Sequence, residues 1–244
     1  MPGGEFTFKQ FSLRNGSAGM ALTTDAVLLG AWAFRGLKVA CPFVWDAGCG
    51  TAILALMLAQ RFPDARIRAT DISPEAVHTA RANVAASPFR ARIQCLREDV
   101  ALTAQALQPQ SVDLLIANPP YYTTGPLGLQ NAPRDLARSA QVGFEATHLF
   151  APAHRLLSPG GRMALVTPAE RLRHLRLAAA QALLSLYRCC SVSPVQGHAP
   201  AVILTEWGQA APPGAAPRYT HLNVREAGGE YSTRFRALTQ EFYL

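Results

Sequence analysis

Short apolar runs alternate with helical stretches along most of this chain. Strand-like apolar runs lie at residues 43–47, 66–70, 93–96, 112–117, 162–167, 189–195, 201–207 and 219–224. Helical patterns lie at residues 52–61, 74–86, within 137–157, and at 169–187 and 232–242. This alternation is typical of βαβ units, in which helices cover both faces of a parallel sheet. We therefore predict an α/β fold with a Rossmann-like, seven-stranded, mostly parallel sheet.

The segment before the first of these strands contains one further helical pattern. Residues 24–32 predict a short amphipathic helix with Thr24 or Asp25 as its N-cap. No internal repeat or linker composition interrupts the chain. We expect one domain over 1–244, in which a lead-in of residues 1–42 precedes a catalytic core of residues 43–244.

Polar residues stand at the ends of four predicted strands. Asp46, Asp71, Asp99 and Asn118 lie at or shortly after the ends of successive predicted strands. The carboxyl ends of parallel strands meet at one edge of an open α/β sheet, and ligands bind there. The sequence therefore predicts a ligand site at this edge.

The turn after the first strand identifies the kind of ligand. Gly48 and Gly50 would let the backbone approach a ligand closely, but Ile53 stands where a dinucleotide motif has its third glycine. Asp46 would also repel a pyrophosphate on this turn, so a positively charged ligand fits better. Asp71 could accept hydrogen bonds from ribose hydroxyls and Asp99 from an adenine amine. Taken alone, Asp71 also fits a helix cap, and Asp99 a solvated turn.

The strand at 112–117 ends in Asn118-Pro119-Pro120-Tyr121. Proline lacks a backbone N–H and fixes φ, so the carbonyl groups here would be rigid and free to accept. Such a corner can hold an amine. The alternative is a structural Pro-Pro turn with surface tyrosines.

These motifs together resemble a class I methyltransferase that uses S-adenosylmethionine, with an Asn-Pro-Pro-Tyr motif. More narrowly, the chain resembles the bacterial valine-tRNA (adenine-N6)-methyltransferases over nearly its whole length. The segments that carry this resemblance are FTFKQF at 6–11, TD at 24–25 with LLGAWA at 28–33, LALMLAQ at 54–60, NPPYY at 118–122, and ALTQ at 237–240 with FYL at 242–244.

The resemblance implies that the chain methylates the exocyclic N6 of the adenosine 3′ of the anticodon. Asn118 and Pro119 would accept hydrogen bonds from N6, Pro120 would stiffen the corner, and Tyr121 would stack on the flipped base beside Tyr122. The implied cofactor contacts are Thr24, Asp46, Gly48, Gly50, Asp71, Ile72, Asp99, Val100 and Asn118. The chain departs from the family pattern at Ala52, where a third glycine is usual, and at Ala21, where a lysine is usual.

Other activities remain open. One is an N-methyltransferase that acts on a glutamine amide of a translation factor or on a guanine amine of rRNA. The glutamine enzymes place a sizeable helical domain first, whereas only 45 residues precede Asp46. A non-catalytic RNA-binding module would explain the charge but not the polar edge. A nicotinamide dehydrogenase would need the missing glycine.

The net charge of +7 predicts a polyanionic partner, here tRNA. Candidate RNA contacts, each of which also fits a solvated surface residue, are Lys9, Arg14, Tyr122, Arg134, Arg138, Arg171, Arg173 and Arg176. The five cysteines and six histidines have no metal-binding spacing. Because no apolar run is long enough for a membrane helix and no signal peptide is evident, we expect a cytoplasmic protein. The sequence gives no indication of the oligomeric state.

Overall fold

The computed structural model describes residues 4–15, 22–120, 145–209 and 214–243. Its strands are β1 (Glu5–Thr7), β2 (Ser12–Arg14), β3 (Phe43–Ala47), β4 (Arg66–Asp71), β5 (Ile93–Arg97), β6 (Val112–Ala117), β7 (Leu157–Pro168), β8 (Ser185–Val195), β9 (Val202–Gly208) and β10 (Arg218–Arg225). Its α-helices are α1 (Thr24–Trp32), α2 (Ile53–Arg61), α3 (Pro74–Ala86), α4 (Val100–Ala106), α5 (Phe150–Leu156), α6 (Leu172–Gln181) and α7 (Thr233–Thr239). Within these ranges, no helix is long and apolar enough to cross a membrane.

The main sheet has eight strands in the order β5-β4-β3-β6-β7-β9-β8-β10. Only β9 runs antiparallel to its neighbours, β7 and β8. The α/β class and the mostly parallel sheet are confirmed, but the predicted number of seven strands is wrong. The eighth strand is β10, which corresponds to the apolar run predicted at 219–224 and pairs in parallel with β8 at the edge of the sheet.

Hydrophobic clusters cover both faces of this sheet. On one face, α1 and α2 pack against alternate residues of the strands, among them Val44 and Ile116. On the other face, α5 and α6 pack against the intervening residues, such as Leu115. Because side chains alternate across a strand, each central strand supplies both clusters, and this is why its sequence is an unbroken apolar run.

Helix α1 differs from its prediction in two respects. Its N-cap is Thr23, whose Oγ1 accepts a hydrogen bond of 3.2 Å from the backbone N–H of Ala26. All of its residues from Ala26 to Trp32 are buried, so the helix is buried rather than amphipathic. It therefore lies inside the core and fixes the lead-in to the catalytic fold.

Helix α6 is shorter than the predicted helix at 169–187. A 3₁₀ turn (Ala169–Arg171) precedes it, and it ends at Gln181. Leu183 then adopts the left-handed conformation (φ 55°), which reverses the chain. Residues 185–187 consequently belong to β8.

Candidate active site

The register of the central strands brings the predicted polar edge together. Asp46 of β3 is level with Ile116 of β6 and with Ala69 of β4. Asn118 and Asp71 each lie two residues beyond those partners, so both stand beside the start of the glycine-rich turn at Gly48. Asn118, the first residue of the tetrad Asn118-Pro119-Pro120-Tyr121, and the glycine-rich turn (residues 48–51) are therefore neighbours at one edge of the sheet.

The turn itself is built on left-handed backbone conformations. Gly48 and Gly50 have φ values of 73° and 54°, which glycine adopts without steric cost. Ala52 also lies in this region (φ 66°, ψ 23°), as the N-cap of α2. The departure from the family pattern at Ala52 thus falls on a conformation that favours glycine. The N–H groups of Gly48 and Cys49 both donate to the carbonyl oxygen of Thr70 at 2.9 Å, so the turn is fastened to the end of β4.

Asp71 binds the turn from the other side. Its Oδ2 accepts from the N–H of Gly50 at 2.9 Å, and its Oδ1 accepts from the N–H of Ser73 at 2.9 Å. Burial raises the pKa of Asp71, while these backbone hydrogen bonds act to lower it. An ionised carboxylate offers about four acceptor sites. Asp71 can therefore keep both backbone contacts and still accept from a pair of hydroxyl groups.

Asp46 is completely buried below the turn. Its Oδ2 accepts from the N–H of Ala55 at 3.0 Å, whereas its Oδ1 is buried without a hydrogen-bond partner. Burial raises the pKa of Asp46 to about 7, and the nearby Asp71 adds to this rise. A buried carboxylate with one unpaired oxygen is costly, so a cationic ligand at this turn would be electrostatically favoured. The residues present therefore fit a sulfonium compound with an ammonium group.

Asp99 caps a helix that the sequence did not predict. Its Oδ1 accepts from the N–H groups of Ala101 and Leu102 at 2.8 and 3.2 Å, at the start of α4. Val100 is half-buried against the core, whereas Ile72 is an exposed apolar side chain directly after Asp71. Ile72 and Val100 thus lie directly after Asp71 and Asp99, at the ends of the neighbouring strands β4 and β5.

Asn118, Pro119 and Pro120 directly follow β6. Asn118 is half-buried, Pro119 is buried and Pro120 is exposed. The predicted residues Tyr121, Tyr122, Arg134 and Arg138 lie outside the described residues, as does Ala21. The described part of the tetrad therefore stands at the boundary between the core and the surface, at the end of a central strand.

The predicted lead-in residues have varied surroundings. Thr24 is exposed in the first turn of α1, and the exposed guanidinium group of Arg14 lies 3.5 Å from Glu5. Lys9 is engaged in the fold, because its Nζ donates to the carbonyl oxygen of Gln240 at 2.7 Å. Its side chain thus holds the C-terminal segment through one of its three donors.

Sequence reasoning missed Asn83, on α3. Its side chain is 2% exposed and donates from Nδ2 to the carbonyl oxygens of Thr51 (3.0 Å) and Arg14 (3.1 Å). Its Oδ1 accepts from the N–H of Arg14 at 2.9 Å. The sequence could have indicated this role, because Asn83 follows Ala76 and Ala80 at helical spacing and so lies on the buried face of the helix. A polar amide on a buried face needs hydrogen-bond partners. Asn83 joins the lead-in to the glycine-rich turn.

In the ranges given above, no group of three or more His, Cys, Asp or Glu side chains could hold a metal ion.

Comparison with known proteins agrees with this site. The methyltransferase small domain family matches residues 37–180, a range that contains the glycine-rich turn and the tetrad. Among solved structures, a predicted O-methyltransferase from Agrobacterium tumefaciens has a TM-score of 0.64 at 20% identity, covering 89% of this chain and 96% of its own. A geranyl diphosphate C-methyltransferase from Streptomyces coelicolor has a TM-score of 0.53 at 13% identity, covering 72% of this chain and 75% of its own. These similarities show a methyltransferase fold.

Curated relatives are more specific. A tRNA1(Val) (adenine(37)-N6)-methyltransferase from Porphyromonas gingivalis is 38% identical over 100% of this chain and 96% of its own length. The protein of the same name from Tolumonas auensis is 39% identical over 100% of this chain and 98% of its own length. The chain therefore belongs to the methyltransferase small domain family and, within it, to the family of the bacterial tRNA1(Val) (adenine(37)-N6)-methyltransferases.

Proposed function

We propose that this enzyme transfers a methyl group from S-adenosylmethionine to N6 of the adenosine 3′ of the anticodon in valine tRNA. The observation that carries the proposal is the position of Asn118 beside the glycine-rich turn, two strand positions beyond the pair of Asp46 and Ile116, with Pro119 directly after it. The names of the full-length relatives support the same substrate. A different amine substrate would use the same corner, so the RNA target rests on the relatives.

Several residues of this edge would hold the cofactor. Asp71 would accept from the ribose hydroxyls, Ile72 and Val100 would border the adenine ring, and Asp99 would accept from the adenine amine. Asp46 would offset the positive charge of the ligand beside Gly48 and Gly50. Thr24 would contact the cofactor from the start of α1. When bound, S-adenosylmethionine supplies an activated methyl group on a sulfonium centre.

The corner after β6 would orient the nucleophile. The lone pair of an adenine N6 is delocalised into the ring, so the nitrogen is planar and weakly nucleophilic. Hydrogen bonds from its two N–H groups to the Asn118 side-chain oxygen and the Pro119 carbonyl oxygen favour a more pyramidal nitrogen. Pro120 would hold this carbonyl in a fixed direction. The amide of Asn118 takes up no proton, so the proton released from N6 passes to water.

The remaining contacts belong to the RNA. Tyr121 would stack on the flipped adenine and Tyr122 would border the pocket, since aromatic rings stack on extruded bases. The net charge of +7 favours a phosphate-rich substrate. Arg134 and Arg138, which follow the tetrad, and Arg14 in the lead-in would contact phosphates. A tRNA substrate implies that the enzyme works in the cytoplasm.

Two transcripts of valine tRNA test this proposal. The first carries adenosine on the 3′ side of the anticodon, and the second carries guanosine there. Each is incubated with the purified enzyme and S-adenosylmethionine, digested to nucleosides and analysed by mass spectrometry. We expect N6-methyladenosine from the first transcript alone. Equal methylation of both transcripts, or of neither, would reject the proposed target.

A further inference from the structure

Most arginine side chains in the described parts of the chain are engaged in the fold. They pair with carboxylates, donate to backbone carbonyl groups or lie over aromatic rings, as Arg68, Arg92 and Arg188 do. The arginines of these parts whose guanidinium groups make no hydrogen bond, ion pair or ring contact are Arg66, Arg90, Arg173, Arg176 and Arg218. All of these are exposed. An unengaged guanidinium group remains available for a ligand.

Three of these arginines lie at the edge of the sheet opposite the candidate active site. Arg66 and Arg218 are the first residues of β4 and β10, and Arg90 lies in the connection between α3 and β5. Strands of a parallel sheet begin at the edge opposite their carboxyl ends. These three side chains are therefore remote from Asn118.

The other two lie on α6, which follows the strand next to β6 and begins near Pro120. Ala117 of β6 is level with Leu165 of β7, so Pro120 and Pro168 each lie three residues beyond this pair. The 3₁₀ turn after Pro168 leads directly into α6, and Arg173 is the second residue of that helix. Arg176 follows one turn later on the same side, as residues i and i+3 do.

Helix α6 is held so that these arginines face outwards. Leu175 and Ala179 are each 1% exposed and anchor the helix in the core, whereas Arg173 and Arg176 are exposed on its outer part. His174 is also exposed, and Glu170 is the exposed acidic residue that precedes this group. The helix thus presents two unpaired positive charges on a rigid support, next to the end of β6.

We infer that Arg173 and Arg176 bind backbone phosphates of the RNA next to the target adenosine, so that α6 is a docking surface for tRNA. This inference rests on the proposed function, because it takes the RNA to be the substrate whose base enters the site at Asn118. A guanidinium group binds phosphate through two N–H donors and remains charged at all physiological pH values. Phosphate contacts of this kind set the position of a nucleic acid without reading its sequence.

The test compares two double variants with the same change in charge. Arg173→Glu with Arg176→Glu alters α6, and Arg66→Glu with Arg90→Glu alters the opposite edge. Affinity for valine tRNA is measured by fluorescence anisotropy at several salt concentrations, in the presence of S-adenosylhomocysteine. Calorimetry with S-adenosylhomocysteine and thermal melting establish that both variants are folded.

We expect the α6 variant to bind tRNA about tenfold or more weakly at 0.1 M salt. The slope of log affinity against log salt concentration should also be smaller in magnitude by about 2, because each lost phosphate contact lowers this slope by about 0.9. The tRNA affinity of the matched variant, Arg66→Glu with Arg90→Glu, should stay within about threefold of the wild-type value. A third variant, Glu170→Gln, should bind about two- to fivefold more tightly, because it removes a negative charge from the surface.

Two results would overturn the inference. The two double variants could lose affinity equally, which would show that only net charge matters, or the α6 variant could bind like the wild type. If the wild-type enzyme methylates the tRNA in either case, the proposed function stands and only the role of α6 is rejected. If the wild type neither binds nor methylates tRNA, the proposed function itself fails, and the inference fails with it.

Discussion

The side-chain amide of Asn83 donates a hydrogen bond of 3.0 Å to the carbonyl oxygen of Thr51, in the glycine-rich turn. The same amide forms two hydrogen bonds with the backbone of Arg14, at the end of β2. Because Asn83 is buried, no water molecule can readily replace these contacts. One side chain thereby sets the position of both the turn and the lead-in.

We predict that Asn83→Ala weakens cofactor binding beyond any general loss of stability. The substitution leaves buried backbone groups without partners, at a cost of about 1–3 kcal/mol, and it frees the turn at Thr51. S-adenosylhomocysteine should bind about tenfold more weakly by calorimetry, well below the melting temperature. The matched control is Val84→Ala, which truncates a neighbouring buried side chain of α3 and should destabilise the protein by about 1–3 kcal/mol. If both variants bind the ligand like the wild type, Asn83 has no part in shaping the site.

The left-handed conformation of Ala52 predicts an unusual tolerance for glycine. Ala52→Gly should change the free energy of unfolding by less than about 1 kcal/mol, because relief of the left-handed strain offsets the added freedom of the unfolded chain. The same substitution at Ala59, inside α2, should destabilise the protein by about 1 kcal/mol or more. Denaturant unfolding of both variants measures the difference. Equal losses would mean that Ala52 is not strained.

Asp46 predicts a pH dependence of stability. Its pKa is about 7 in the folded protein against an ordinary value of 3.8, because burial disfavours the charged form. Below about pH 4 the carboxyl group is protonated in both states. Between about pH 4 and pH 7 the unfolded chain loses this proton while the folded chain keeps it, so stability falls as the pH rises, and above pH 7 the loss is complete.

The comparison that isolates this effect is Asp46→Asn. The free energy of unfolding of the wild type, relative to this variant, should fall by about 2 kcal/mol between pH 5 and pH 8. Denaturant titrations at several pH values would measure it. A difference that is constant or that grows with pH would show that Asp46 is ionised throughout this range.

Much of the fold follows from local pattern. The strands from β3 to β9 are apolar runs, and the acids and the amide at their ends mark the edge where the site lies. The hairpin of β1 and β2 could not be predicted, because each of its strands has only three residues and shows no buried alternation. Helix α4 escaped prediction because only Thr103 and Ala104 of its seven residues are buried.

The parts of the site that escaped prediction depend on contacts between residues distant in sequence. Asn83 reaches Arg14 across 69 positions, and nothing near either residue indicates that pairing. The role of Asp99 as the cap of α4 was likewise hidden, because an acid after a strand fits both a cap and a ligand contact. The strain at Ala52 is a property of the backbone turn, which the residue type alone does not reveal.

Asn118→Ala tests the central claim most directly. The claim is that Asn118 holds the amine that receives the methyl group, so its loss should slow methyl transfer far more than it weakens cofactor binding. Single-turnover methylation of valine tRNA should be about 10²–10³ slower, as expected for the loss of one pre-positioned polar contact. S-adenosylhomocysteine affinity and the melting transition should stay close to those of the wild type. A folded Asn118→Ala enzyme that forms N6-methyladenosine in tRNA at the wild-type rate would contradict the account.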